Sequence, residues 1–393
     1  MAYRVYLKKK EDKRIRQGHS WVYANEVERI EGDGKNGDLA SVYDFSGKFL
    51  GKGFINHVSK ILVRIFIRDE RDFDKELLKE RIKKANDYRM KLGYENCYRM
   101  VFAEADDLPA LIIDKYADVF SVQLLSLGMD RHKKDIVEAL VELFSPVGIY
   151  ERSDAAVRKK EGLPLTKGVL YGDFDPRVII EENGLKMVAD LENGQKTGYF
   201  LDQKENRFAL RKYSKGAEVL DCFCNVGGFS LNAAAAGAKE VTALDISEKA
   251  LSDVMENAKL NGLDNIVRTK CGDVFEVLRE YKRDGVKFDT VVLDPPAFCK
   301  SAADVPDAYR GYKDINILGL KLVRDGGFLV TASCSHYMTS QLFEKMLREA
   351  SKESGRIVRV AEIKSQSPDH PALLGADETT YLKFYVLHVS DKY

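Results

Sequence analysis

What the chain lacks narrows it first. None of its 393 residues form an apolar run of about 18, the least that spans a membrane. The opening Met-Ala-Tyr-Arg-Val-Tyr has no secretory-signal character, so a soluble, cytoplasmic protein with no membrane partner is expected. Cysteine is sparse, six scattered residues without paired metal-ligand spacing, and no metal site is expected. Cys222 and Cys224 lie too close together, with no partners, for zinc; free packing thiols in a reducing compartment fit better than disulfides. Net charge is zero, 62 Lys+Arg against 62 Asp+Glu, which removes any global argument for nucleic acid. Local basic clusters remain, such as Lys8, Lys9 and Lys10 with Lys13, Arg14 and Arg16, and a solvated surface segment explains that run equally well.

What is present indicates two or three domains, since 393 residues exceed one ordinary core and 45% hydrophobic content can fill several. Residues 1–70 read as a compact β-barrel, with short β-branched and aromatic runs at 5–7, 39–43, 49–55 and 61–67. The single Trp, Trp21, and His19 sit between them, expected as cap and core residues. Residues 71–172 read as a small α+β domain: a charged helix over 72–92, a meander over 98–124, a helix over 131–144 and a strand from 148. Residues 173–393 form the third domain, opening on a hairpin across Asn183-Gly184. A glycine-bounded polar stretch, 194–207, follows; it is suited either to close over a zwitterionic ligand or to start an exposed helix.

From residue 218 strands and helices alternate, predicting a doubly wound, mainly parallel α/β sheet. Its organising stretch is 219–230, a strand ending in Asp221, a turn through Asn225, Gly227 and Gly228, then an Ala-rich helix. Such a turn lets backbone approach a ligand closely and offers it a helix N-terminus. A second strand ends in Asp245, placed to bind ribose hydroxyls. Asp273, Asp294 and Cys334 also fall at or just past strand ends, and ligands of such sheets collect there.

Two motifs carry chemistry. Asp294-Pro295-Pro296-Ala297-Phe298 follows a strand; the prolines stiffen the loop, Asp294 suits an exocyclic amine or ring nitrogen, and Phe298 suits stacking on a base. Ser333-Cys334-Ser335 ends the next strand, and its thiol is a candidate nucleophile. Attack on C6 of a pyrimidine would make C5 able to accept a methyl group. Cys299 reads as a bystander, His336 as surface, and Lys313 and Asn316 as residues that could face the same crevice.

At these residues the sequence resembles the class I S-adenosylmethionine-dependent methyltransferases, and within them the large-subunit rRNA cytosine-C5 methyltransferases with an N-terminal PUA RNA-binding domain. The resemblance runs nearly end to end, through 18–26, 194–207, 294–298, 311–316 and 333–335. It implies an S-adenosylmethionine cofactor with Asn225, Gly227 and Gly228 by its methionine end, Gln203 on its carboxylate, Asp245 on the ribose and Asp273 on the adenine amine, and with Asp221 and Asp294 also among the cofactor-binding residues. It implies RNA, ribosomal above all, as partner, with Pro295, Phe298, Lys313 and Asn316 on the substrate side and Asp294 and Cys334 catalytic. Two departures stand out: the third cradle glycine is absent, and Pro295-Pro296 replaces the Pro-Cys of many RNA cytosine-C5 enzymes, leaving the base that removes the C5 proton unassigned. Competing readings are methylation of a base nitrogen, a non-catalytic RNA binder, and a nicotinamide oxidoreductase. Asn225 in place of the first fingerprint glycine counts against the last. Monomer and homodimer are both compatible with the sequence.

Overall fold

The structure, a computed structural model, describes residues 3–299 and 301–392. It divides into two compact units, one of Met1–Ile180, Ala189–Asp202 and Pro368–Thr379, the other of Glu181–Val188, Gln203–Ser367 and Thr380–Tyr393. Among the described residues no helix is long and apolar enough to cross a membrane.

The first unit begins with β1 (Tyr3–Leu7), α1 (Lys13–Arg16), β2 (Trp21–Tyr23), β3 (Val27–Glu31), β4 (Leu39–Tyr43), β5 (Phe49–Ile55) and β6 (Ile61–Ile67). They form a six-stranded sheet in the order β2-β6-β5-β4-β1-β3, in which β1 and β4 run parallel. Val5, Leu7, Val22, Val42, Val63 and Ile65 are its buried heart. The lone Trp21 spends its indole N–H on Glu104 Oε1 at 2.8 Å, while buried His19 accepts from the Trp21 backbone N–H at 3.0 Å.

Next come α2 (Lys75–Lys91), capped by Asp74 accepting from Leu77 N, then β7 (Cys97–Phe102), β8 (Leu111–Tyr116) and β9 (Val119–Leu124). They are followed by α3 (Leu127–Arg131), α4 (Lys133–Phe144), β10 (Gly148–Ser153) and β11 (Thr166–Tyr171). The sheet order is β11-β10-β9-β8-β7. The helix expected over 131–144 is α4, which starts at Lys133; the short α3 precedes it, with His132 between the two. Two distant segments complete this unit. Thr197 Oγ1 donates to buried Asp114 Oδ2 at 2.6 Å, and Asp369 Oδ2 accepts from Arg99 N at 2.9 Å.

The hairpin is β12 (Arg177–Glu182) and β13 (Leu185–Asp190); Asn183 at φ 55° and Gly184 at φ 72° supply the two left-handed residues of a type I′ turn. The second unit then alternates α5 (Lys204–Leu210), β14 (Glu218–Cys222), α6 (Gly228–Ala235), β15 (Glu240–Asp245), α7 (Glu248–Leu260), β16 (Val267–Cys271), α8 (Val274–Arg283) and β17 (Phe288–Leu293). It closes with α9 (Val305–Leu322), β18 (Val323–Ser333), α10 (Ser340–Ser354), β19 (Ile357–Lys364) and β20 (Lys383–Ser390). The strand order β16-β15-β14-β17-β18-β20-β19 is parallel through β18 and antiparallel at β20 and β19.

Side-chain alternation along β14 builds both faces: Leu220 and Cys222 enter one apolar layer, Val219 the other. A fully buried Val or Leu here contributes roughly 1.5–3 kcal/mol. Strand order reverses between β14 and β17, which opens a crevice at their carboxyl ends. Cys222 and Cys224 are both buried, on opposite apolar layers, and burial drives both thiols well above their ordinary pKa, as packing residues should be.

Candidate active site

The cradle begins where β14 ends. Asp221 is fully buried; its Oδ2 accepts from Ser230 N at 2.9 Å and Ser230 Oγ at 2.6 Å, tying the strand end to the first turn of α6. Its Oδ1 is buried and has no protein partner. Burial foremost, and then the Asp294 and Asp245 charges, push this carboxyl up to about 7 against the Ser230 hydrogen bonds. The turn runs through left-handed Phe223 at φ 62°, Asn225 at φ 50° and Gly227 at φ 87°. Phe and Asn thus adopt backbone that glycine takes more readily, which is how the loop manages without a third glycine. Two anchors compensate: Asn225 N donates to Asp245 Oδ2 at 3.0 Å, and Asn257 Nδ2 donates to Val226 O at 3.0 Å.

Asp245, half-buried at the end of β15, also accepts from Ser247 N at 2.9 Å, and Ser247 caps α7. Directly after it Ile246 is 70% exposed, a large apolar side chain left in the open at a strand end. Sequence reading passed it over, because one isoleucine after a strand has no distinguishing pattern. Asp273 is exposed and caps α8 through Glu276 N at 3.1 Å.

Asp294 follows β17, and Cys334 follows β18, the adjacent parallel strand; Leu293 pairs with Cys222 on one side and Thr331 on the other. Gln203 Nε2 donates to Asp294 Oδ1 at 2.9 Å, and Asn206 Nδ2 donates to Gln203 Oε1 at 2.7 Å. A relay of amides therefore fixes the carboxylate's orientation. Arg207, in the same polar stretch, is buried in a bidentate pair with Glu182, both bonds 2.6 Å. Pro295 is buried and Pro296 exposed; the Phe298 ring lies 4.7 Å from that of Tyr312.

Ser333 and Ser335 are buried around Cys334, which is itself half-buried. Tyr312 clamps this turn: Ser333 Oγ donates to its hydroxyl at 3.0 Å, and a 2.9 Å bond joins that hydroxyl to Ser335 Oγ. Cys299 N donates to Ser335 Oγ at 3.3 Å, joining the Asp-Pro-Pro loop to the Cys334 turn. Lys383 Nζ donates to Ser335 O at 2.6 Å. Neither Tyr312 nor Lys383 was singled out by sequence, since only packing of α9 and pairing of β18 with β20 bring them here. Lys313 is instead turned to α10, 2.9 Å from Glu353 and 3.7 Å from Glu349. Asn316 is wholly enclosed, its amide donating to Tyr312 O at 2.8 Å. His336 is exposed, edge-on to Tyr337.

A family model for PUA-like domains matches residues 5–68. One for S-adenosylmethionine-dependent methyltransferases matches residues 167–383. A relative from Vibrio cholerae named ribosomal RNA large subunit methyltransferase I is 43% identical over 393 residues, covering 98% of this chain and 99% of its own. The chain belongs to this methyltransferase family. A relative of the same name from Aeromonas hydrophila is 43% identical over 397 residues, again covering 98% of this chain and 99% of its own. Of solved structures, a putative methyltransferase from Streptococcus mutans superposes with a TM-score of 0.84 at 20% identity, covering 99% of this chain and 100% of that one. A putative methyltransferase complexed with S-adenosylhomocysteine gives 0.85 at 19%, with the same coverage. At such identities these two establish the fold alone.

S-adenosylmethionine is the cofactor of this methyltransferase, and the cradle fits it. The partnerless Asp221 Oδ1 is a buried acceptor waiting for a donor, and an added Cβ at Gly227 would lie 2.8 Å from Leu231 Cδ1, which keeps that turn bare.

Proposed function

We propose that the protein methylates C5 of a cytosine in large-subunit ribosomal RNA through a covalent bond between Cys334 Sγ and C6 of the base. The observation that carries this reading is the half-buried Cys334, held between two buried serines one strand from the fixed carboxylate of Asp294. The names of the relatives support ribosomal RNA as substrate, the match at residues 5–68 supports an RNA-binding module there, and both support a cytoplasmic site of action.

Asn225, Gly227 and Gly228 would hold the methionine end of the cofactor, Asp245 the ribose, and Ile246 and Asp273 the adenine. Bound there, S-adenosylmethionine supplies an electrophilic methyl group. Asp294, oriented by Gln203, holds the cytosine by its exocyclic amine or N3, and Pro295 and Phe298 bound the base pocket. The Cys334 thiolate adds its electron pair to C6; the C5–C6 π electrons make C5 nucleophilic. C5 takes the methyl group with S-adenosylhomocysteine as the leaving group; passage of the C5 proton to water then returns the C–H electron pair to the ring and expels the thiolate from C6.

Cys334→Ala is expected to abolish methylation while cofactor affinity, measured by calorimetry, stays within about twofold. Turnover retained by that variant would reject the adduct and favour direct transfer to a base nitrogen, a reaction to which the Asp294–Phe298 loop is also suited. Mapping the methylated nucleoside in ribosomal RNA of cells with and without the protein identifies the atom and position.

A further inference from the structure

Lys383 is a buried lysine at the start of β20, between β18 and the edge strand β19, 6% exposed. It pairs with Ser333 in the β18–β20 register, one residue from Cys334. Its ammonium donates to Ser335 O at 2.6 Å and to Tyr381 O at 2.7 Å. An ammonium has three donors and no acceptor, so two are committed to carbonyls that cannot neutralise it. Burying a charge without a counter-charge is costly, and such sites ordinarily supply a carboxylate. Here the groups favouring its charged form are two thiols, Cys334 first and then Cys299; burial outweighs them and lowers the amine to about 8.

The two thiols are not equivalent. Cys299 is buried, donates its S–H to Ser301 O at 3.2 Å, and is held up by burial and by Asp304, with Lys383 only partly offsetting them. Cys334 is only half-buried. From α9 the remaining titratable neighbour is Tyr312, whose phenol burial raises above its ordinary value and so keeps neutral.

We propose that Lys383 is a positioning residue whose fixed ammonium keeps Cys334 as the thiolate. The inference rests on the covalent reading of Cys334. The exchange balances as a proton leaving Cys334 Sγ for water, to leave S⁻ in the field of the Lys383 ammonium, which is bonded to the carbonyl of the next residue in the same turn, Ser335. A thiolate generated this way is the attacking species, since the protonated thiol is a poor nucleophile.

The test is the alkylation rate of Cys334 by iodoacetamide in the full-length protein between pH 5 and 10, followed by peptide mass. Exposed Cys271 serves as internal reference. The wild-type Cys334 profile should reach half its plateau at least one pH unit below that of Cys271. In Lys383→Met that midpoint should rise by a unit or more, cutting the rate at pH 7 about tenfold, with the Cys271 profile and S-adenosylhomocysteine affinity unchanged. Lys383→Arg should restore most of the shift. A wild-type midpoint at or above that of Cys271 overturns the proposal without any variant, and so do superimposable profiles for wild type and Lys383→Met. A depressed midpoint together with an active Cys334→Ala enzyme would reject the covalent reading and leave the ion pair standing.

Discussion

Asp221 shows how one residue sets a pH dependence. Its folded-state pKa of about 7 lies above the usual 3.8, so the folded protein holds the proton more tightly than the unfolded chain. That contribution is fully present below about pH 4 and is lost as pH rises through 7, on the order of 4 kcal/mol in all. In cofactor-free protein the melting temperature should therefore fall between pH 5 and 8 relative to Asp221→Asn, which never ionises. Calorimetry at four pH values across that interval checks this, and parallel curves for the two proteins would show the carboxyl already ionised in the fold. Lys383 is a buried base, and burial lowers its amine to about 8. Sequence gives no means of telling it from the many surface lysines, whereas Asp294 and Cys334 stand out as candidates because several polar strand ends gather at one crevice.

Among elements, the β14–α6 turn is where conformation and binding meet. Gly227 has φ 87°, and its Cβ would also stand 3.1 Å from Val254. Gly227→Ala should cost about 1–3 kcal/mol of stability and weaken S-adenosylmethionine by more than tenfold, read by denaturant titration and calorimetry. Equal affinity in the variant would mean that this turn does not approach the ligand. The seven strands of the large sheet could be read from sequence because most are near-continuous apolar runs between polar turns. β3 could not: Val27–Glu31 is mostly exposed, so no burial pattern marks it. Trp21–Tyr23 is too short to register, and the five-residue α3 is too short to show a helical period. The missing third glycine was legible as a departure, but its replacement by left-handed Phe223 and Asn225 is a backbone fact that no side-chain pattern announces.

For the whole molecule, a net charge of zero means that RNA must be met by local clusters. In the 8–16 run Arg14 is paired with Glu26 and Arg16 with Asp12 and Asp44, while Lys8 donates to Asn25 O. Lys9, Lys10 and Lys13 are exposed, and they are the part of the cluster suited to phosphate. Replacing all three with Glu should weaken RNA binding at least tenfold and flatten its salt dependence, with cofactor affinity unchanged. Filter binding at several salt concentrations measures both, and an unaltered salt slope would assign that run to plain surface.

The first unit draws on residues from three separate stretches of chain, the last of them Pro368–Thr379. Asp369 in that stretch accepts from the backbone of Arg99, and its carbonyl accepts from the buried guanidinium of Arg89 at 2.8 Å. During synthesis the amino-terminal half must therefore wait, unfinished, until the ribosome has made nearly everything else. Elongation at about 5–20 residues per second makes that delay roughly ten seconds to a minute, a window in which Arg89 and Arg99 lack these late partners and nascent chains are open to chaperones and proteases.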